Sequence, residues 1–115
     1  MGQVKTARIR ELNDAFRKSP WHGSSALGRT VVTSGINAHG PEYVLRVINA
    51  IAGFNNFSGD NDPYGEHDFG NLELEGEKIY FKIDYYDAAC VYGSEDPSDP
   101  AKTTRVMTVM LASEY

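Results

Sequence analysis

The densest polar chemistry in the sequence lies in residues 60–68, where Asp60, Asp62, Tyr64, Glu66, His67 and Asp68 crowd one short stretch. Carboxylates and an imidazole so close together can bind divalent cations or pass protons. Set against a twelve-residue calcium loop starting at Asp60, the stretch has acids at the first, third and ninth positions and Gly65 at the sixth. It departs at the fifth, Tyr64, and at the twelfth, where Asn71 stands in place of a bidentate Glu; Pro63 is also foreign to such a loop. A transition-metal site from His67 with Asp62, Glu66 or Asp68 is chemically allowed, but one imidazole beside sequence-adjacent acids is a thin donor set. The plainer reading is turn chemistry, in which Asn and Asp side chains tie down loop backbone. No metal or other cofactor is expected, and Asp62, His67 and Asp68 are the residues that would hold one.

A second polar group is Lys82, Asp84, Tyr86 and Asp87. Alternation along a strand puts the first three on one face. If the 60–68 loop folds across that face, its acids and His67 converge with Lys82 and two tyrosines in a cleft suited to binding or acid–base work. The plainer alternative is a solvated strand face with cross-strand pairs such as Lys82 with Glu73. A third group, the acids Glu95, Asp96 and Asp99, sits in a loop with two Asp-Pro pairs.

Other candidates are weaker. His22, His39 and His67 never fall at metal-ligand spacing on one element. Cys90, the lone cysteine, reads as a small hydrophobe rather than a nucleophile and excludes a disulfide scaffold. Asp68-Phe69-Gly70 matches a kinase triplet without the other kinase parts. Gly23, Gly28 and Gly35 build no phosphate-binding motif. Arg8, Arg10, Arg17 and Lys18 read as a solvated helix face. No residue is assigned a catalytic role.

The elements that would position these residues follow from periodicity. Ile9, Leu12, Ala15 and Phe16 recur at helical spacing, predicting a helix over 5–18 that Ser19-Pro20 stops. Residues 30–34, TVVTS, suit a short strand. Pro41, Glu42 and Gly53 bracket a helix over 41–52 with Val44, Leu45, Val47, Ile48 and Ile51 on its apolar face. Leu72 and Leu74 alternate with Glu73 and Glu75, and a turn at 75–78 leads to the second hairpin arm, 79–86. Residues 103–112 make a further strand, apolar on both faces and therefore central. The expected class is α+β: two helices on one face of a small antiparallel sheet, in the order helix, strand, helix and three strands. With 115 residues the chain suits a single domain.

Net charge is −5 and unevenly spread. Residues 1–53 carry seven Lys/Arg against three Asp/Glu, whereas residues 54–115 carry four against thirteen, −9 in all. So acidic a half opposes duplex nucleic-acid binding. The first twelve residues have no apolar leader core, and residues 44–54 are too short and too interrupted by Arg46 and Asn49 to span a bilayer, so no membrane association and a cytoplasmic location are expected.

NDPYGEHDFG (61–70), KIDYYD (82–87) and the closing TTRVMTVMLASEY resemble an uncharacterised bacterial family catalogued as a domain of unknown function. That family is frequent in alphaproteobacteria and their plasmids and other mobile elements. The resemblance runs over about residues 8–115, with His39 standing where the family would have an apolar residue. It implies a bacterial accessory protein and no mechanism. The functional expectation is a small acidic non-catalytic binding module acting by protein–protein contact, in its narrowest form an anti-CRISPR-like mobile-element inhibitor of a bacterial defence system. Its surface would combine the 60–68 loop, Lys82, Asp84, Tyr86 and Asp87, and the 95–99 loop. The rival is a small metal-dependent hydrolase using the 60–68 loop. Oligomeric state is left open by the sequence.

Overall fold

A computed structural model describes residues 2–18, 24–25, 27–59 and 62–115. Asp60, the Ser19-Pro20 helix stop, Trp21 and His22 lie outside these. Helix α1 spans Gly2–Lys18, and the helix expected over 41–52 is α3, Pro41–Ala52, after a single turn α2, Ser34–Asn37. The strands are β1 Ser24–Ser25, β2 Gly28–Val32, β3 Phe69–Leu74, β4 Glu77–Tyr86 and β5 Thr104–Leu111. The class is α+β.

One sheet runs in the order β1-β2-β5-β4-β3, with β5 in the middle. It is mixed rather than antiparallel, because β2 lies parallel to β5 while the other neighbours are antiparallel. The reason lies in connectivity. The antiparallel pairs need only a chain reversal, two residues between β3 and β4 and the loop 87–103 between β4 and β5, whereas the chain leaving β2 passes through two helices and a hairpin before β5 arrives beside it. The hairpin turn is two residues, Glu75 and Gly76, both at positive φ (54° and 85°), as a type I′ turn requires.

Every helix packs on the same sheet face. The core joins Phe16 of α1, Ile36 of α2, and Tyr43, Val47 and Ile51 of α3 to Ile79, Phe81 and Ile83 of β4 and Met107 and Val109 of β5. Burial of each such side chain contributes about 1.5–3 kcal/mol. Two details of the helical faces differ from the periodic reading. Leu45 and Ala15 are exposed, with Tyr43 taking the inward place on α3. On α1 the inward stripe is completed by two polar residues, Asn13 and Arg17, at 0% and 2% exposure. Arg17 therefore does not belong to a solvated cationic face.

The other sheet face carries no α-helix among the described residues. Alternation places Arg29 and Val31 of β2, Thr104, Val106, Thr108 and Met110 of β5, Lys78, Tyr80, Lys82, Asp84 and Tyr86 of β4, and Phe69 and Asn71 of β3 on it. The chain end folds back over part of this face. Glu114 accepts hydrogen bonds from the Thr33 hydroxyl and the Gly35 and Leu111 amides, and Tyr115 sits edge-on to Phe69 and Tyr80. Near that aromatic cluster Met110 is only 4% exposed, while Val31 keeps 44%.

Candidate functional site

The 62–68 loop is held on the helix side of the sheet, not on its helix-free side. Its anchors are on α1. Arg10 donates to the Gly65 carbonyl at 2.9 Å, and Asn13 Nδ2 donates to the Glu66 carbonyl at 2.9 Å and the Tyr85 hydroxyl at 2.8 Å. The Tyr85 hydroxyl in turn donates to Glu66 Oε1 at 2.8 Å. Arg105 completes the network from β5, with Nε 2.6 Å from Asn13 Oδ1, Nη2 2.6 Å from the Pro97 carbonyl, and its guanidinium over the Tyr85 ring. Burial holds Arg105 below the usual arginine range, since a desolvated cation is costly. Burial likewise lifts the Tyr85 hydroxyl far above the usual tyrosine range, opposed by the Asn13 hydrogen bond and reinforced by Glu66.

His67 is fixed from three sides. Its Nδ1 donates to Asp14 Oδ1 at 2.9 Å, its Nε2 lies 3.6 Å from Asp62 Oδ2, and its ring stacks on Phe57 at 3.8 Å between centroids. Asp62 Oδ1 also accepts the His67 amide at 3.0 Å, which supports the positive φ of 58° there. Arg17 works beside it as a cap on α3, donating to the Ile51 and Phe54 carbonyls at 2.7 Å each, where the helix dipole favours positive charge. Between these groups opens a 220 Å³ cleft lined by Asp14, Arg17, Lys18, Phe57 and His67.

The chemistry of this region is therefore largely committed to holding the loop. Both ring nitrogens of His67 face carboxylates. Among the described residues no group of three or more His, Cys, Asp or Glu is arranged to hold a metal ion. Of the candidate ligands, Asp62 and His67 pair with each other, and Asp68 is the group whose carboxyl burial raises above the usual range, with Glu66 next and smaller contributions from Asp62 and Asp84. Tyr64 points outward at 77% exposure.

The expected convergence of the two polar groups is corrected by this geometry. Lys82, Asp84 and Tyr86 occupy the helix-free face, because they alternate with Ile83 and Tyr85, which turn toward the helices. Glu66 and His67 lie on the other side, and the two groups approach only at the sheet edge, where Asp68 feels Asp84. The expected Lys82–Glu73 pair is also absent: register sets Lys82 against Phe69 and Glu73 against Lys78, and Lys82 Nζ instead meets Asp84 Oδ2 at 3.1 Å. In the acidic loop Asp96 bonds Ser98 and lies 3.7 Å from Lys5, and Asp99 caps the turn Pro100–Lys102. Glu95 and Asp87 line a neighbouring 290 Å³ cleft.

The helix-free face carries a groove of about 340 Å³ lined by Arg29, Val31, Tyr86, Cys90 and Val106. Beside it the 87–93 loop exposes Val91 (64%) and Tyr92 (74%), and is tied to the strand by the Tyr86–Gly93 bridge. Sequence reasoning found Tyr86 and missed Arg29, Val31 and Val106. Their signal was alternation in β2 and β5, readable only once the neighbouring strands were known.

The chain belongs to the family described as protein of unknown function DUF3768, whose model matches residues 32–114. The match takes in Glu66, His67, Tyr85 and Arg105, while α1, which supplies Asn13, Asp14 and Arg17, precedes it. Neither the curated proteins nor the solved structures yield a match to this chain. Among the described residues no helix is long and apolar enough to cross a membrane.

Proposed function

We propose that this chain is a protein-binding module whose contact surface is the helix-free sheet face around Tyr86. The observation that carries the reading is the uneven covering of that face. Tyr115 packs over the Phe69 and Tyr80 half, while Val31, Val106 and Tyr86 remain open beside the exposed Val91 and Tyr92. Exposed aromatic and aliphatic side chains gathered around a groove are what protein interfaces bury at their centre. Asp87 follows Tyr86 directly and lines a cleft with Glu95, and both acids belong to the −9 balance of residues 54–115. A partner with a basic rim is the complement. In its narrowest form that partner is a bacterial defence enzyme whose basic nucleic-acid channel is occupied by the acidic rim, a form that rests on the same charge distribution.

The test is comparative capture from bacterial lysate on immobilised full chain. Val31→Asp and the Tyr86→Ala, Tyr92→Ala pair alter the proposed face, while Tyr64→Ala and Leu45→Ser alter exposed residues elsewhere. The reading predicts a protein whose capture falls about tenfold or more with the first set and is unchanged by the second. Raised salt should weaken the same capture through the rim. Equal loss with both sets, or no capture that depends on the face, contradicts the reading.

A further inference from the structure

The groove joins one cation to apolar walls. Arg8, Arg17 and Arg46 each hold a carboxylate, and Arg10 and Arg105 hold carbonyl groups. Arg29 holds neither among the described residues, and its side chain is exposed at the groove. The acid in its own cross-strand row is Asp84, reached across Val106 at two strand spacings, about 9.5 Å. Asp84 is already engaged by Lys82 at 3.1 Å. A guanidinium unpaired among the described residues can receive an incoming carboxylate, which its planar fork grips in bidentate fashion. Val31, Val106 and the Tyr86 ring offer an apolar bed next to it, and 340 Å³ accommodates a side chain together with the group that carries the charge.

We propose that this groove receives the apolar C-terminal residue of a partner chain, with the α-carboxylate on Arg29 and the side chain between Val31, Val106 and Tyr86; the inference rests on the binding reading above and names what the face grips. A chain end supplies charge and apolar group on one residue. That compactness suits a groove in which Arg29 and Val31 stand two strand positions apart.

Cys90 lines the groove and serves as a built-in reporter. The full chain is titrated with acetyl-Gly-Ser-Gly-Leu bearing a free carboxylate, with its amidated twin, and with an amidated peptide carrying an internal Glu beside Leu. The rate of Cys90 alkylation by iodoacetamide and the amide shifts of Val31 and Val106 are followed. The free acid should slow alkylation about fivefold or more at saturation, and Arg29→Gln should weaken that peptide about tenfold, the loss of one charge-assisted pair. Equal responses to acid and amide, binding of the internal-Glu peptide as tight as the free acid, or no response at millimolar peptide each overturn the proposal. Peptides that fail while the face variants still lose their partner remove this inference and leave the binding reading standing. Peptides that bind while no partner depends on the face do the reverse.

Discussion

Two arginines and an asparagine sit where the helix and strand patterns call for apolar side chains, and each survives by being hydrogen-bonded. Asn13 is the joint: it receives the Arg105 Nε proton and donates to Tyr85 and to the Glu66 carbonyl. Among the described residues Arg105 Nη1 and Arg17 Nε are buried with no hydrogen-bond partner, so these sites have little slack. Removing Asn13 would strand a buried guanidinium nitrogen as well. Asn13→Ala is therefore expected to cost about 2–4 kcal/mol in denaturant unfolding, more than truncation of an exposed polar residue. A loss below that of Tyr64→Ala would show that the network carries no stability. Asp68 makes the opposite kind of prediction. Burial raises its folded pKa above the unfolded value, so its ionisation disfavours the native state. Stability from this residue is full at low pH and declines as pH rises through the folded value. Asp68→Asn should accordingly be more stable than the parent at neutral pH, with the advantage vanishing on acidification below the usual carboxylate range. An Asn variant that loses stability at neutral pH would contradict this.

The elements themselves were largely readable in the sequence. Pro41 and Gly53 bracket α3, and the Leu72/Leu74 alternation with a Glu75-Gly76 turn reports the hairpin, since both signals are local. The parallel β2–β5 pairing was not readable, because nothing within β2 says which distant strand it will meet. One residue records that meeting. A Cβ on Gly28 would lie 2.0 Å from the Arg105 carbonyl oxygen, so only glycine lets the two backbones approach. Gly28→Ala is expected to destabilise by about 1–3 kcal/mol, read as a lower denaturation midpoint with an unchanged slope. The C-terminal clasp is likewise non-local. Glu114 is held below the usual carboxylate range, first by the Thr33 hydroxyl and then by the Leu111 and Gly35 amides. Its contribution is therefore present above the usual glutamate pKa and lost as pH falls through the depressed value. Glu114→Ala should lower the melting temperature at neutral pH and converge with the parent in acid. A gap that persists in acid would mean the clasp does not act through the carboxylate.

Across the whole molecule, the polar residues legible in the sequence divide between two surfaces. Composition identified Asp62, Glu66, His67, Lys82, Asp84 and Tyr86 as chemistry-bearing, but residue types cannot report which side of a sheet a loop will cross. The loop crosses on the helix side because α1 supplies its hydrogen-bond partners there, which leaves Lys82, Asp84 and Tyr86 on the face with the groove. The buried polar residues Asn13, Arg17 and Arg105 escaped the sequence because polar side chains at inward positions look like solvated ones until their partners are placed. The account thus separates a polar loop that holds the fold from an open face that meets a partner. Hydroxyl-radical footprinting of the full chain, free and bound to its captured partner, tests that separation most directly. Oxidation of Tyr86 and Tyr92 should fall about tenfold on binding while Tyr64 is unchanged. Protection of Tyr64 with Tyr86 and Tyr92 reacting as in the free chain would contradict it.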